Sequence, residues 1–202
     1  MAVKRYNGSA WVTEAGGINS TLLQTKAATG LNVVIPSGAT GGTVGVNGAV
    51  TIGSAVSSVV VDGAFSSTYD AYKIIISGGV CSTDNNSLLL RLGATTSGYE
   101  YSFGVFANSV SVGLGSTSAT SFEAIGQANT NALSFNVEIV NPNLAKHTLV
   151  SAAGGYNRSN NNSRTAYQGV LPNTTQYTSF TILPASGTLT GGIIRIYGYN
   201  NG

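Results

Sequence analysis

The sequence predicts an all-β fold: a jelly-roll-like β-sandwich preceded by an N-terminal extended arm and a small hairpin. Three observations carry this. Val, Ile, Thr, Tyr and Phe fill short stretches punctuated by Gly, Asn, Asp and Ser. Leu133, Phe135, Val137 and Ile139 alternate with Ser134, Asn136, Glu138 and Val140, the two-residue period of a half-buried strand. Gly, Ser, Thr and Asn supply 92 of the 202 residues and only 8% are charged, which excludes both a long-helix protein and a highly charged disordered chain.

Residues 1–15 read as an anchoring hairpin: Lys4-Arg5-Tyr6, a turn at Asn7-Gly8, then Ala10-Trp11-Val12-Thr13. Asn-Gly suits the positive φ of a tight turn. Two strands alone bury too little to be stable, so Tyr6 and Trp11 are expected to dock on something. Ile18 to Ala28 is a candidate helix, with Ile18, Leu22 and Lys26 at helical spacing and Thr21 and Thr25 weakening it.

Residues 16–55 hold one charge and no aromatic, yet contain Val33, Val34, Ile35, Val44, Val46, Val50 and Ile52. A flexible linker has the Gly and Ser but not these residues. The segment reads as an arm for docking or oligomerisation, with Val33, Ile35, Val44, Val46 and Ile52 completing their packing against neighbouring chains or a host assembly. The alternative is that these are extra strands of one larger sandwich.

Residues 56–202 read as the main β-domain. Strands are expected at 58–62, 71–77, 88–92, 99–106, 122–127, 133–140, 147–152, 165–171, 177–183 and 193–199, separated by turn clusters as in a sandwich or jelly roll. Burying about twenty large apolar side chains, at roughly 1.5–3 kcal/mol each, suffices for a core at this size.

Charge and composition limit the partners. A net charge of +2 is far too small for affinity built on neutralising phosphates, so no nucleic acid is expected. Beyond Glu138 stand Lys146, Arg158, Arg164 and Arg195 with no acid, a mildly positive face. No apolar run approaches the roughly 18 residues of a span, so no membrane insertion is expected. No disulfide framework and no basic-then-apolar leader stand in the sequence, which points to an unexported protein. One Cys and one His cannot supply the four N or S ligands of a structural zinc site within one chain, and no nucleotide-binding glycine motif occurs. No cofactor and no metal are expected.

The sequence shows no catalytic set. His147 opens a strand and no nucleophile elbow precedes a helix. Cys81 has no base near it in sequence. The seven acids are isolated, so a glycosidase pair is not legible; Glu100 between Tyr99 and Tyr101 reads as an outward acid between core tyrosines. Asp84-Asn85-Asn86-Ser87 has oxygen ligands but not the spacing of a calcium loop and reads as a polar turn. The Asn-rich stretch from Tyr156 to Arg164 reads as a loop tip, with Tyr156, Asn157, Arg158 and Arg164 as candidate glycan contacts.

Met1-Ala2-Val3-Lys4-Arg5-Tyr6-Asn7-Gly8-Ser9-Ala10-Trp11 resembles the N-termini of virion appendage proteins of tailed bacteriophages, particularly those of cyanobacteria and other marine bacteria. Thr188 to Tyr199 is similar to the last strand of many phage tail-fibre and related virion domains. Together these cover little more than a tenth of the chain. The resemblance implies an N-terminal part attached to the virion and a C-terminal β-domain, often trimeric, that projects outward. The resulting expectation is a non-enzymatic virion protein of the tail-fibre or tail-appendage kind, a homotrimer contacting other virion proteins and a host surface glycan. The alternatives are a capsid decoration or head-fibre protein on the major capsid protein, and a glycan-cleaving tailspike domain.

Overall fold

The computed structural model describes residues 4–6, 11–13, 30–107, 110–158 and 161–199. The strands are β1 (Lys4–Tyr6), β2 (Trp11–Thr13), β3 (Leu31–Val33), β4 (Gly38–Thr40), β5 (Gly42–Val44), β6 (Val50–Ile52), β7 (Val59–Asp62), β8 (Ala71–Ser77), β9 (Val80–Cys81) and β10 (Asn86–Leu92). They continue with β11 (Tyr99–Ala107), β12 (Val110–Ala119), β13 (Phe122–Ala128), β14 (Leu133–Val140), β15 (Thr148–Arg158), β16 (Asn161–Leu171), β17 (Phe180–Pro184), β18 (Leu189–Thr190) and β19 (Ile193–Tyr199). The expectation of an all-β chain holds, and the strands over 71–77, 133–140 and 193–199 have the expected bounds. β1 and β2 pair with Tyr6 opposite Trp11. The turn between them and the candidate helix over 18–28 lie outside the described residues.

All strand pairs are antiparallel, and they form a sandwich. The front sheet runs β12-β11-β16-β15-β14-β8-β19, with β3 and β6 both against β19 and β5 beyond β6. The back sheet runs β13-β10-β17-β7-β4. β14 joins them: Leu133 pairs with Ala128 and Ser134 with Gln127 of β13, whereas Phe135 to Val140 pair with β8. β14 shows why the sequence folds this way. Its odd positions Leu133, Phe135, Val137 and Ile139 are all buried and its even positions are not, because successive strand side chains point to opposite faces.

One hydrophobic core fills the space between the sheets, from Val50 and Val59 through Ile74, Leu90 and Phe122 to Ile196. Aromatic edges stitch it: the Tyr99 and Phe122 rings meet at 4.8 Å and Phe65 and Tyr72 at 4.9 Å, geometry that suits the ring quadrupole. Two of the buried tyrosine hydroxyls are satisfied locally. Tyr99 accepts from the Leu92 amide at 2.8 Å and donates to the Thr95 carbonyl at 3.0 Å. Tyr72 does the same with both backbone groups of Ser66.

The arm expected over 16–55 is corrected across its described part. β3 and β6 pair with the C-terminal β19, β4 pairs with β7, and β5 with β6. Val50 and Ile52 lie in the common core and Val44 packs against it. Residues 30–55 are therefore strands of the larger sandwich, and no domain boundary falls at residue 55. The physical reason is that β19 and β7 need neighbours for their backbone groups, and the Val- and Ile-rich segment supplies them on the same chain. Val33, Ile35 and Val46 instead point outward, at 56%, 64% and 102% exposure.

Two outcomes test this architecture. Ile52→Ala should cost about 2–5 kcal/mol of global stability, read as a shifted urea midpoint for the whole molecule; an unchanged midpoint would return β6 to a detached arm. Burial pushes the Tyr99 hydroxyl up to about 12. Its contribution to stability is therefore complete below the unfolded tyrosine value of about 10 and is lost as pH rises towards 12, so thermal midpoints should fall across that interval while absorbance at tyrosinate wavelengths grows with unfolding.

Candidate binding face

The outward face of the front sheet carries a groove of about 890 Å³ crossing β12, β11, β16, β15, β14 and β8. Strand register builds it. Reading across the sheet, Gly115 is opposite Ser102, Ser102 opposite Gln168, Gln168 opposite Ser151, Ser151 opposite Glu138, and Glu138 opposite Lys73. An adjacent row runs from Gly113 to Gly104, Ala166 and Ala153, and Asn136 borders it on β14. Hydroxyl and amide side chains thus stand in one line, and small residues form the floor beside it.

Glycine keeps that floor low for a packing reason at two positions. A Cβ on Gly115 would lie 2.6 Å from the Tyr101 carbonyl oxygen, and one on Gly104 would lie 3.0 Å from the Phe106 ring. Phe106 is itself about half exposed.

At the β8 end the charges cancel. Lys73 Nζ is 3.7 Å from Glu138 Oε1, and the Tyr199 hydroxyl donates to the same oxygen at 2.5 Å. Partial burial, followed by the Glu138 contact, pushes the Tyr199 hydroxyl up to about 12, which keeps it a donor at every physiological pH. Among the described residues, the side chains of Ser102, Ser151, Asn136 and Gln168 make no hydrogen bond to the protein. The face can therefore offer neutral donors and acceptors to a flat, hydroxyl-rich ligand.

Behind the groove, Tyr101, Phe103 and Tyr167 stack with centroids 5.7–6.1 Å apart. The Tyr101 hydroxyl donates to Glu123 Oε2 at 2.9 Å; burial and that bond push it up to about 12. Tyr167 is buried with no partner for its hydroxyl among the described residues, and burial pushes that hydroxyl far up.

The residues singled out in the sequence fall elsewhere. Tyr156, Asn157 and Arg158 lie on β15 and Arg164 on β16, paired in a hairpin with Tyr156 opposite Ser163 and Arg158 opposite Asn161. The expected nine-residue loop is thereby corrected to two long strands; residues 159 and 160 lie outside the described residues. Glu100 is half-buried on β11 next to fully buried Tyr99. His147 is exposed immediately before β15. Cys81 is buried, with Asn86 Nδ2 3.6 Å from its sulfur. Asp84 closes a turn, accepting from the Thr130 amide at 2.8 Å and hydroxyl at 2.6 Å, and these bonds hold its carboxyl below the usual range. No cluster of His, Cys, Asp or Glu suited to a metal occurs among the described residues.

The sequence reading missed the groove because its residues come from six strands and no local motif unites them. The only usable signal is the outward phase of each strand's alternation. No protein-family model, no curated relative and no solved structure matches the chain.

Since the side chains of Gln168 and Asn136 have no hydrogen-bond partner among the described residues, Gln168→Ala and Asn136→Ala should each leave stability within about 0.5 kcal/mol, measured by urea unfolding. A larger loss would mean that these side chains hold the sheet together instead of serving its surface.

Proposed function

We propose that the chain is a non-enzymatic structural subunit of a tailed-bacteriophage virion, of the tail-fibre or tail-appendage kind, which docks through its N-terminal portion and presents the sandwich to the host surface. The observation that carries this reading is the open, charge-balanced face of hydroxyl and amide side chains held on a rigid sheet. Such groups match sugar hydroxyls, each of which both donates and accepts. A host surface glycan lying on this face is the partner the reading assigns. The resemblance of residues 1–11 and 188–199 to phage virion proteins supports the location.

Docking has its own support. Leu31, Val33, Ile35 and Val46 are 47–102% exposed within sixteen residues, and apolar side chains concentrated on a surface suit contact with another protein. These are the positions where the virion would meet the chain.

Mass spectrometry of intact particles should find the chain at a copy number in small multiples of three or six. A copy number that follows the capsid lattice would instead make it a head decoration, and absence from particles would defeat the reading. Full-length protein should bind host surface polysaccharide, and the double variant Asn136→Ala with Gln168→Ala should weaken that binding about tenfold, equivalent to about 1.4 kcal/mol. Release of reducing ends on incubation would replace the binding role with a glycan-cleaving one.

A further inference from the structure

The front sheet ends on one side at β12, and the described residues place no strand beyond it. This edge differs from the short edges at β3, β4 and β5. β3, β4 and β5 have three residues each, short enough to offer little to a passing strand. β12 has ten, Val-Ser-Val-Gly-Leu-Gly-Ser-Thr-Ser-Ala, without a charge or a proline. Long uncharged edges with free backbone groups attract another strand, and folded proteins normally protect them with charge, proline or bulges.

The register offers a position for a twofold axis. β12 pairs regularly with β11 from Val110 to Ser116, and the register shifts only beyond Ser116. Gly113 is the midpoint of that regular segment. Antiparallel pairing of two such segments about Gly113 sets Val112 opposite Leu114 of the partner subunit and Val110 opposite Ser116 of the partner subunit. No charge meets a like charge, because the segment has none.

The inner face gives a second, independent reason. Leu114 is opposite Phe103, so it shares the face turned towards the back sheet. That sheet's last strand, β13, reaches β11 through the Tyr99–Phe122 contact. Leu114 lies past it, 54% exposed. Directly opposed residues in an antiparallel pair share a face, so a second copy brings an identical apolar overhang to the same side and covers Leu114.

We propose that β12 is a self-pairing edge through which two copies of this chain join about a twofold axis at Gly113, making one continuous sheet from their two front sheets. The interface is isologous and closes on itself, and so does not propagate into a filament. A second copy is the partner that satisfies the charge-free strand, the central register and the overhang together.

A cross-link tests the register. Opposed residues in an antiparallel pair have Cα atoms about 4.5–5.5 Å apart, within the roughly 4.4–6.8 Å span of disulfides. A Cβ on Gly113 meets nothing within 4 Å, so Gly113→Cys should fold, and after oxidation the full-length variant should run as a covalent dimer on a non-reducing gel. Wild type, whose one cysteine is buried, should not. In sedimentation, wild type should have the mass of two chains, and Leu114→Lys should shift it to one chain with unchanged far-ultraviolet dichroism. A wild-type monomer or trimer overturns the proposal. A dimer whose Gly113→Cys variant does not cross-link overturns it equally, by placing the interface elsewhere.

Discussion

β14 is the strand on which the rest of the structure depends, because both sheets require its backbone. At Leu133 and Ser134 its partner is β13 of the back sheet; from Phe135 onward it is β8, and from Val137 onward β15 as well. The two sheets separate at that change of partner, and the wedge between them must be filled by apolar side chains. Alternation does the rest. Phe135, Val137 and Ile139 go into the wedge while Asn136 and Glu138 go to the outer face. A slip of one residue would exchange those sets, exposing the core residues and burying a carboxylate. Core and groove are therefore fixed by the same register.

The sequence was most legible where that alternation is strong. β8, β14 and β19 each bury every second residue along their length, and their bounds can be read directly. β12 was missed because its alternation sets Ser, Gly and Thr against few apolar residues, which resembles a turn cluster in composition. β9 and β18 have two residues each and leave no periodic signal at all. The strands from Thr148 and to Leu171 were found but cut short, since Gly, Asn and Ser at their far ends read as loop.

The segment before residue 56 shows a different limit. Its glycines look like flexibility, yet a Cβ on Gly42 would lie 2.7 Å from the Thr51 carbonyl oxygen and one on Gly53 would lie 3.1 Å from that of Gly41. These glycines permit close approach between strands and are not hinges. Composition cannot separate the two uses, because β5 pairs with its neighbour β6 whereas β3 and β6 pair with the distant β19. Local reading also places Val50 and Val46 in one class, whereas the first is fully buried and the second fully exposed. Only long-range pairing distinguishes a residue that completes the core from one left for another molecule.

The outer face and the edge of the front sheet differ in what they can recognise, and the difference follows from hydrogen-bond accounting. β11, β16 and β15 are paired on both sides, so their backbone groups are already satisfied and the groove above them reads a ligand only through side chains. Under the proposed glycan-binding role, Ser102, Gln168 and Ser151 would be the groups that select for hydroxyls. At β12 the situation reverses: the segment carries no charge, no strand lies beyond it among the described residues, and under the proposed self-pairing its outer amides and carbonyls would select for another strand. Gly113 and Gly115 lie in both surfaces, forming the end of the groove and part of the edge. Two copies joined at β12 would thus bring their grooves end to end across a shared glycine floor, doubling the length over which an extended polymer could lie without adding a residue to the chain.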